Sequence, residues 1–69
     1  MKITVNGKEL NIDIISDIFT IANLLDYLKI NSARIAVEKN GVITDRNNFN
    51  KEEVLDGDVI EIVQFVGGG

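Results

Sequence analysis

Cysteine and histidine are both absent from this sequence of 69 residues. Without cysteine the chain has no disulfide bond, no thiolate nucleophile and no thiolate metal ligand, so a domain of this size must be stabilised by its hydrophobic core. Without histidine it lacks the usual general base near neutral pH and a common zinc ligand. The two absences argue against an enzyme and against a metal site, and the absence of cysteine fits a reducing cytoplasm.

Basic residues are also scarce, with seven Lys and Arg against eleven Asp and Glu and a net charge of −4. An excess of negative charge disfavours binding to nucleic acids and to anionic membranes. We therefore expect no nucleic-acid partner and no membrane partner. A protein partner with a basic surface is more compatible with this charge.

Long apolar runs are missing as well. The longest apolar stretch, residues 59–66, is interrupted by Glu61 and Gln64 and is too short to span a bilayer. The first residues turn polar at Asn6 and lack the apolar segment of a signal peptide. From these features we expect a cytoplasmic protein.

The chain has room for one domain, because folding at this size hides only about 60% of the surface that the unfolded chain exposes. Its 45% apolar and 26% charged residues are ordinary for a soluble globular domain. We predict a single domain over residues 1–66, followed by a flexible glycine tail at residues 67–69. A domain this small has no space for a buried catalytic cavity.

Apolar and polar residues alternate in five segments, as they do in strands with one buried face. These predicted strands are residues 2–6, 9–14, 34–39, 42–43 and 59–66. Gly7 supplies a turn between the first two, and Asn40-Gly41 favours a tight hairpin turn because both residues tolerate positive φ. Asp56-Gly57-Asp58 turns the chain into the last strand.

One segment has the period of a helix instead. Ile21, Leu24, Leu25 and Leu28 are spaced as one apolar face, with Thr20 placed to cap the first turn and Lys29 near the end. Asn50 and Glu53 resemble a capping box for a second, single helical turn. Antiparallel strands packed on one helix make an α+β domain of two layers, and one helix covers only one face of the sheet.

The uncovered face of the sheet is the first candidate interaction surface. Glu61 marks the solvent side of the last strand, and Val63 and Phe65 share that side because strand side chains alternate. Exposed apolar residues next to an unusual terminus suggest docking of a partner. The alternative is that they fill an edge of the core.

Two carboxylates close in sequence, Asp56 and Asp58, are the pair that a catalytic hypothesis could use. Asp and Gly are also the residues that a turn requires, so the turn is the better interpretation. The sequence has no Ser-centred nucleophile motif and no glycine-rich phosphate loop between a strand and a helix.

The chain ends in Gly67-Gly68-Gly69. Three glycines contribute little to folding, so they are either a frayed end or a reactive arm, and composition leaves both open. As an arm they would reach about 10 Å and could enter a channel too narrow for side chains. The Gly69 carboxylate is a poor electrophile, but ATP could convert it to an acyl-adenylate that an amine or a sulfur nucleophile attacks.

The sequence resembles the ThiS family of sulfur carriers, within the ThiS/MoaD group of ubiquitin-like β-grasp proteins. The resemblance covers the whole chain and combines several short motifs in one order. These are Met1 to Gly7, Thr20 to Leu25, Val37 to Gly41, Asp56-Gly57-Asp58, and Phe65 to Gly69. It implies a β-grasp fold with a mixed sheet of about five strands packed on one helix.

The resemblance also implies a function without catalytic side chains. A ThiF-like enzyme would use ATP to adenylate Gly69, a persulfide-bearing donor would supply sulfur, and the resulting thiocarboxylate would serve a ThiG-like thiazole synthase. The chain itself would bind no cofactor. Gly68 would match the family's other terminal glycine, while Gly67 is an additional one, and both would thread into the partner. The alternation in the last strand, rather than the resemblance, makes Val63 and Phe65 the candidates for docking on these partners.

Three alternatives remain at this stage. The small subunit of molybdopterin synthase has a similar fold and terminus but tends to be longer. A ubiquitin-like modifier would join its activated terminus to lysines. A plain β-grasp interaction module would carry the glycines without using them.

Overall fold

The computed structural model describes residues 1–13 and 17–65. Its elements, in chain order, are β1 (Lys2–Val5), β2 (Lys8–Asn11), α1 (Ile21–Tyr27), β3 (Ile35–Lys39), β4 (Val42–Thr44), a 3-10 turn (Arg46–Asn48) and β5 (Val59–Gln64). The strands form one five-stranded sheet in the order β2-β1-β5-β3-β4. The strand that comes last in the sequence is therefore the central one.

The sheet is mixed, as the family resemblance implied. β1 and β5 run parallel, with Thr4 opposite Val59, whereas the other neighbouring strands are antiparallel. The antiparallel arrangement that the alternation suggested therefore does not hold for this pair, whereas the mixed sheet implied by the resemblance is confirmed. Hairpin turns fix the direction of strands that follow each other, but alternation within β1 and β5 carries no information about their relative direction.

Both hairpins turn on an Asn-Gly pair. Asn6 and Gly7 have φ of 50° and 78°, and Asn40 and Gly41 have φ of 52° and 85°. Two successive residues with positive φ define the tight turn whose twist matches that of the strands it joins. The two predicted hairpins are confirmed, although residue 14 at the end of the first lies outside the described residues.

A reciprocal cap starts the helix at the predicted residue. The backbone N–H of Asn23 donates to Thr20 Oγ1 at 3.2 Å, and the backbone N–H of Thr20 donates to Asn23 Oδ1 at 2.9 Å. The helix ends at Tyr27, and Lys29 beyond it has a φ of 58°. The described residues form no helix that is long and apolar enough to cross a membrane.

The second helical turn lies earlier than predicted. It spans Arg46–Asn48, and the carboxylate of Asp45 caps it by accepting from the backbone N–H of Asn47 at 2.8 Å. The capping box expected at Asn50 and Glu53 is wrong, because Asp45 caps the turn first and Glu53 lies in an isolated β-bridge.

Two of the predicted strands, residues 34–39 and 59–66, are shorter in the structure than expected. β3 begins at Ile35, since Arg34 has a φ of 62°, and β5 ends at Gln64. The backbone N–H of Phe65 still donates to the Arg34 carbonyl at 2.8 Å, so pairing continues one residue past the strand. Residue 66 lies outside the described residues.

The core lies between the helix and one face of the sheet. The predicted helix stripe is confirmed for its first three members, which are buried, and Leu28 is half-buried against them. The buried apolar residues of the described chain are Ile3, Val5, Ile12, Ile21, Leu24, Leu25, Ile35, Val37, Phe49, Val54 and Ile60. Within the described residues, no helix or second sheet covers the opposite face of the sheet.

Candidate docking face and C-terminal strand

β5 carries the chain toward the terminal glycines from the middle of the sheet. It pairs with β1 on one side and with β3 on the other. Such a central strand has hydrogen-bonded neighbours along both edges, so its position is well fixed. The predicted carrier residue Gly69 and the threading residues Gly67 and Gly68 lie outside the described residues.

Side chains of β5 alternate between the core and the open face. Ile60 is fully buried, whereas Glu61 and Val63 are exposed. Val63 exposes 53% and Phe65 57% of its surface, so the prediction that both lie on solvent-facing surface is confirmed. Their role in docking stays a prediction.

Neighbouring strands extend this exposed strip sideways. Glu38 on β3 lies directly opposite Glu61, and Ile43 on β4 lies directly opposite Glu38. Residues directly opposite each other in antiparallel strands project from the same face of the sheet. We call the resulting surface the open-face patch, which consists of Glu38, Ile43, Val59, Glu61, Val63 and Phe65.

The two carboxylates of the patch form no ion pair within the described chain. Ion pairs within residues 1–13 and 17–65 join Lys2 to Glu9 at 3.9 Å and Lys39 to Glu52 at 2.6 Å. Neither pair includes Glu38 or Glu61. The patch therefore presents acidic groups and apolar groups side by side.

Asn6 binds β5 through its side chain. Its Oδ1 accepts from the backbone N–H of Ile62 at 2.7 Å, and its Nδ2 donates to the Ile62 carbonyl at 3.2 Å. Its own backbone N–H donates to the Ile60 carbonyl at 2.9 Å. The carboxamide thus continues the pairing of β1 with β5 after β1 has turned away.

Asn40 does the same on the other side of the strand. Its Oδ1 accepts from the backbone N–H of Val59 at 2.9 Å, and its backbone N–H donates to the Val59 carbonyl at 2.8 Å. The first residue of each Asn-Gly turn is therefore also an anchor for β5. Sequence reasoning recognised the turn at Gly7 and the Asn40-Gly41 pair but missed both anchors, and the shared Asn before Gly is the signal that could have found them.

The paired aspartates before β5 hold the turn, as predicted. Asp56 Oδ1 accepts from the backbone N–H of Lys2 at 2.7 Å. Asp58 accepts from the backbone N–H of Leu55 at 2.8 Å and from Asn40 Nδ2 at 3.0 Å. Both carboxylates are engaged in fixing the start of β5.

Other features of the described residues lie away from this strand. A shallow depression on the helix side is lined by Asp26, Arg46 and Phe49, in the layer opposite the open-face patch. Within residues 1–13 and 17–65, acidic side chains form no group of three that could hold a metal ion. What the described residues provide is an exposed sheet face and a well-anchored strand leading to the tail.

Comparison with known proteins identifies the family. The model of the ThiS family matches residues 3–69, which include all three terminal glycines. The chain belongs to the ThiS family. The sulfur carrier protein ThiS of Bacillus subtilis is 39% identical over 64 residues, covering 93% of this chain and 94% of that protein.

A solved structure of the ThiS family confirms the fold. The crystal structure of the thiamine biosynthesis protein ThiS from Geobacter metallireducens superposes with a TM-score of 0.84 at 38% identity, and the match covers both chains completely. The five strands packed on one helix are therefore the ubiquitin-like β-grasp arrangement that the sequence resemblance implied.

Part of a longer protein is also similar in sequence to this chain. The thiazole synthase of Paramagnetospirillum magneticum is 41% identical over 69 residues, which are all of this chain but 20% of that protein. This chain thus spans about a fifth of that relative's length.

Proposed function

We propose that this ThiS-family chain is a sulfur carrier of thiamine biosynthesis, which holds sulfur as a thiocarboxylate on Gly69. The observation that carries the proposal is the family match, which extends through the last glycine. The nearly full-length similarity to the sulfur carrier of Bacillus subtilis supports the same function. A carrier of this kind is acted on by enzymes and is not itself one.

The chemistry starts at the terminal carboxylate. A ThiF-like partner binds ATP, and the Gly69 carboxylate attacks the α-phosphorus, which releases pyrophosphate and leaves an acyl-adenylate. The terminal sulfur of a persulfide on the donor then attacks the acyl carbon and displaces AMP. A thiol cleaves the resulting acyl disulfide, which leaves the thiocarboxylate on Gly69 and a disulfide on the donor side. The chain contributes the acyl group, while its partners contribute ATP and sulfur.

The anchoring of β5 supports delivery of the tail. The last described residue, Phe65, follows a strand held on both sides, and only residue 66 separates it from Gly67. Glycine has no side chain, so Gly67 and Gly68 suit a narrow channel that leads to a partner's active site. In this proposal the partner enzyme binds the open face of the domain while the tail extends into the active site of that enzyme.

Thiazole synthase is the proposed acceptor of the sulfur. In Paramagnetospirillum magneticum, sequence similar to this whole chain is part of a protein named thiazole synthase. Joining a carrier and its acceptor in one polypeptide raises their effective concentration, which is an advantage for partners that act together. All of these steps take place, in this proposal, in the cytoplasm.

Reconstitution tests the function. The purified chain is combined with a ThiF-like enzyme, ATP, a persulfide donor and thiazole synthase with its small-molecule substrates, and thiazole formation is measured. We expect product only when the chain is present. A variant with one alanine added after Gly69 should give none, because its activated carbonyl would belong to the wrong residue. Sulfuration of a molybdopterin precursor in place of thiazole formation would contradict the proposal.

A further inference from the structure

The open-face patch alternates apolar and acidic groups along the strand that precedes the tail. On β5, Val59 and Val63 flank Glu61, and all three are exposed. Glu38 lies beside Glu61 on the neighbouring strand, and Ile43, which exposes 71% of its surface, lies beside Glu38. Two carboxylates are thus bordered by apolar side chains on several sides.

The fold gains nothing from having these two glutamates side by side. Side chains directly opposite on antiparallel strands have Cβ atoms about 4.5–5.5 Å apart, and like charges at such positions destabilise the sheet. Neither carboxylate has a cationic partner within residues 1–13 and 17–65. Charged groups that cost stability and have no partner within the fold are candidates for binding a partner outside it.

We propose that Glu38 and Glu61 together bind an arginine of the ATP-dependent activating enzyme, while Ile43, Val59 and Val63 pack on apolar side chains around that arginine. The proposal rests on the sulfur-carrier function and adds the chemistry of the partner's surface. Guanidinium is the matching group for two reasons. Its five N–H donors lie in one plane and can reach more than one carboxylate oxygen, and it is more weakly hydrated than ammonium, so it is better suited to apolar surroundings.

Two arguments favour the activating enzyme as the occupant. First, the patch lies on the strand that leads to the tail, so an enzyme seated on it is placed to receive Gly69. Second, an enzyme that binds ATP neutralises phosphate charge with cationic groups, which gives it a basic surface near the active site. A chain with a net charge of −4 and an acidic docking face is complementary to such a surface.

The test replaces both glutamates by their neutral isosteres. For Glu38→Gln with Glu61→Gln, pyrophosphate release by the activating enzyme is measured with the chain as the varied substrate. We expect KM to rise about tenfold, which corresponds to about 1.4 kcal/mol of binding free energy, with kcat little changed. Raising the salt concentration should increase KM of the wild type more than KM of the double variant, because salt screens the charges that the variant lacks.

Asp26→Asn is the matched control. Asp26 is exposed on the helix side of the domain, away from the patch, and its replacement by Asn removes one negative charge there. Its KM should equal that of the wild type, and Glu61→Gln, which also removes one charge, should raise it. The melting temperature of the double variant should be equal to or higher than that of the wild type, because the repulsion between the two carboxylates is gone.

The outcomes separate this inference from the function on which it rests. An unchanged KM in the double variant, or an equal rise of KM in Asp26→Asn and Glu61→Gln, would overturn the arginine site and leave the carrier function standing. If a competent activating enzyme releases no pyrophosphate with the wild-type chain, the carrier function fails first.

Discussion

The carboxamide of Asn6 serves as a strand partner for Ile62. It accepts from the Ile62 N–H at 2.7 Å and donates to the Ile62 carbonyl at 3.2 Å, across 56 positions of sequence. A single side chain thereby replaces a residue that β1 no longer supplies. The contact fixes β5 at the residue just before Val63, on the exposed part of the strand that is nearest to the tail.

Loss of this contact should destabilise the fold and loosen β5. The net contribution of a hydrogen bond to stability is about 0.5–1.5 kcal/mol. Because water can reach the backbone groups of Ile62 once the carboxamide is gone, Asn6→Gly should lower the unfolding free energy by about 1 kcal/mol. Glycine keeps the positive φ without strain, whereas Asn6→Ala should cost more. Denaturant unfolding measures the free energy, and hydrogen exchange should show faster exchange at the Ile62 amide. Asn11 is exposed, and its side chain makes no hydrogen bond within the described residues, so Asn11→Ala should have little effect. Equal losses of stability in Asn6→Gly and Asn11→Ala would contradict the anchor.

The second hairpin turn depends on Gly41, whose φ is 85°. Among the described residues, no heavy atom beyond Gly41 and its two chain neighbours lies within 4 Å of the position that a Cβ would take, so a substituent meets a conformational cost but no clash. Gly41→Ala should lower the unfolding free energy by about 1–2 kcal/mol, the cost of a left-handed conformation for an L-residue.

A D-alanine at position 41 gives the matched control, since a chain of 69 residues is accessible to chemical synthesis. The D-residue favours positive φ and restricts the unfolded chain, so it should be neutral or stabilising. If denaturant unfolding shows that L-alanine and D-alanine at position 41 lower the unfolding free energy equally, the positive φ is not the cause of the loss.

The helix cap at Thr20 offers a third test. Thr20→Ala removes the oxygen that accepts from the Asn23 N–H and should cost about 1 kcal/mol of stability, within the range for N-cap residues. Thr20→Ser keeps that oxygen and should retain most of the stability. A thermal melt of both variants measures the difference, and equal losses would show that the methyl group, rather than the cap, is what matters.

Docking through the exposed end of β5 is tested by changing Val63 and Phe65 to Ser. Both side chains are more than half exposed, so the fold should tolerate the change, while the activating enzyme should bind the chain more weakly and KM should rise. Leu55→Ser is the control, because Leu55 and Phe65 both expose 57% of their surface. A folded double variant that is adenylated and supports thiazole formation as well as the wild type does would refute docking at these residues.

The parts of the fold that were predicted depend on neighbours in sequence. The Asn-Gly turns, the Thr20 cap and the apolar stripe of α1 each follow from residues a few positions apart. The parallel pairing of β1 with β5 could not be predicted in this way, because it joins segments more than 50 positions apart. The wrong position predicted for the second helical turn has a related cause. Asp45 and Asn50 are both residue types that can cap a helix, so the local sequence alone does not decide which of them starts the turn.

For the candidate site, alternation alone placed Val63 and Phe65 on solvent-facing surface. It could not reveal that Glu38 lies opposite Glu61, because that depends on the register of β3 against β5. The chemistry of Gly69 came from the family resemblance and not from spacing or composition. Three glycines alone are equally compatible with a frayed end.

The most direct test of the central claim is the intact mass of the chain after incubation with ATP, a ThiF-like enzyme and a persulfide donor. We predict a gain equal to the exchange of one oxygen atom for one sulfur atom, which peptide mapping places on the C-terminal peptide that ends at Gly69. An unchanged mass with enzymes that modify an established carrier in parallel, or a sulfur atom mapped to any other peptide, would contradict the account.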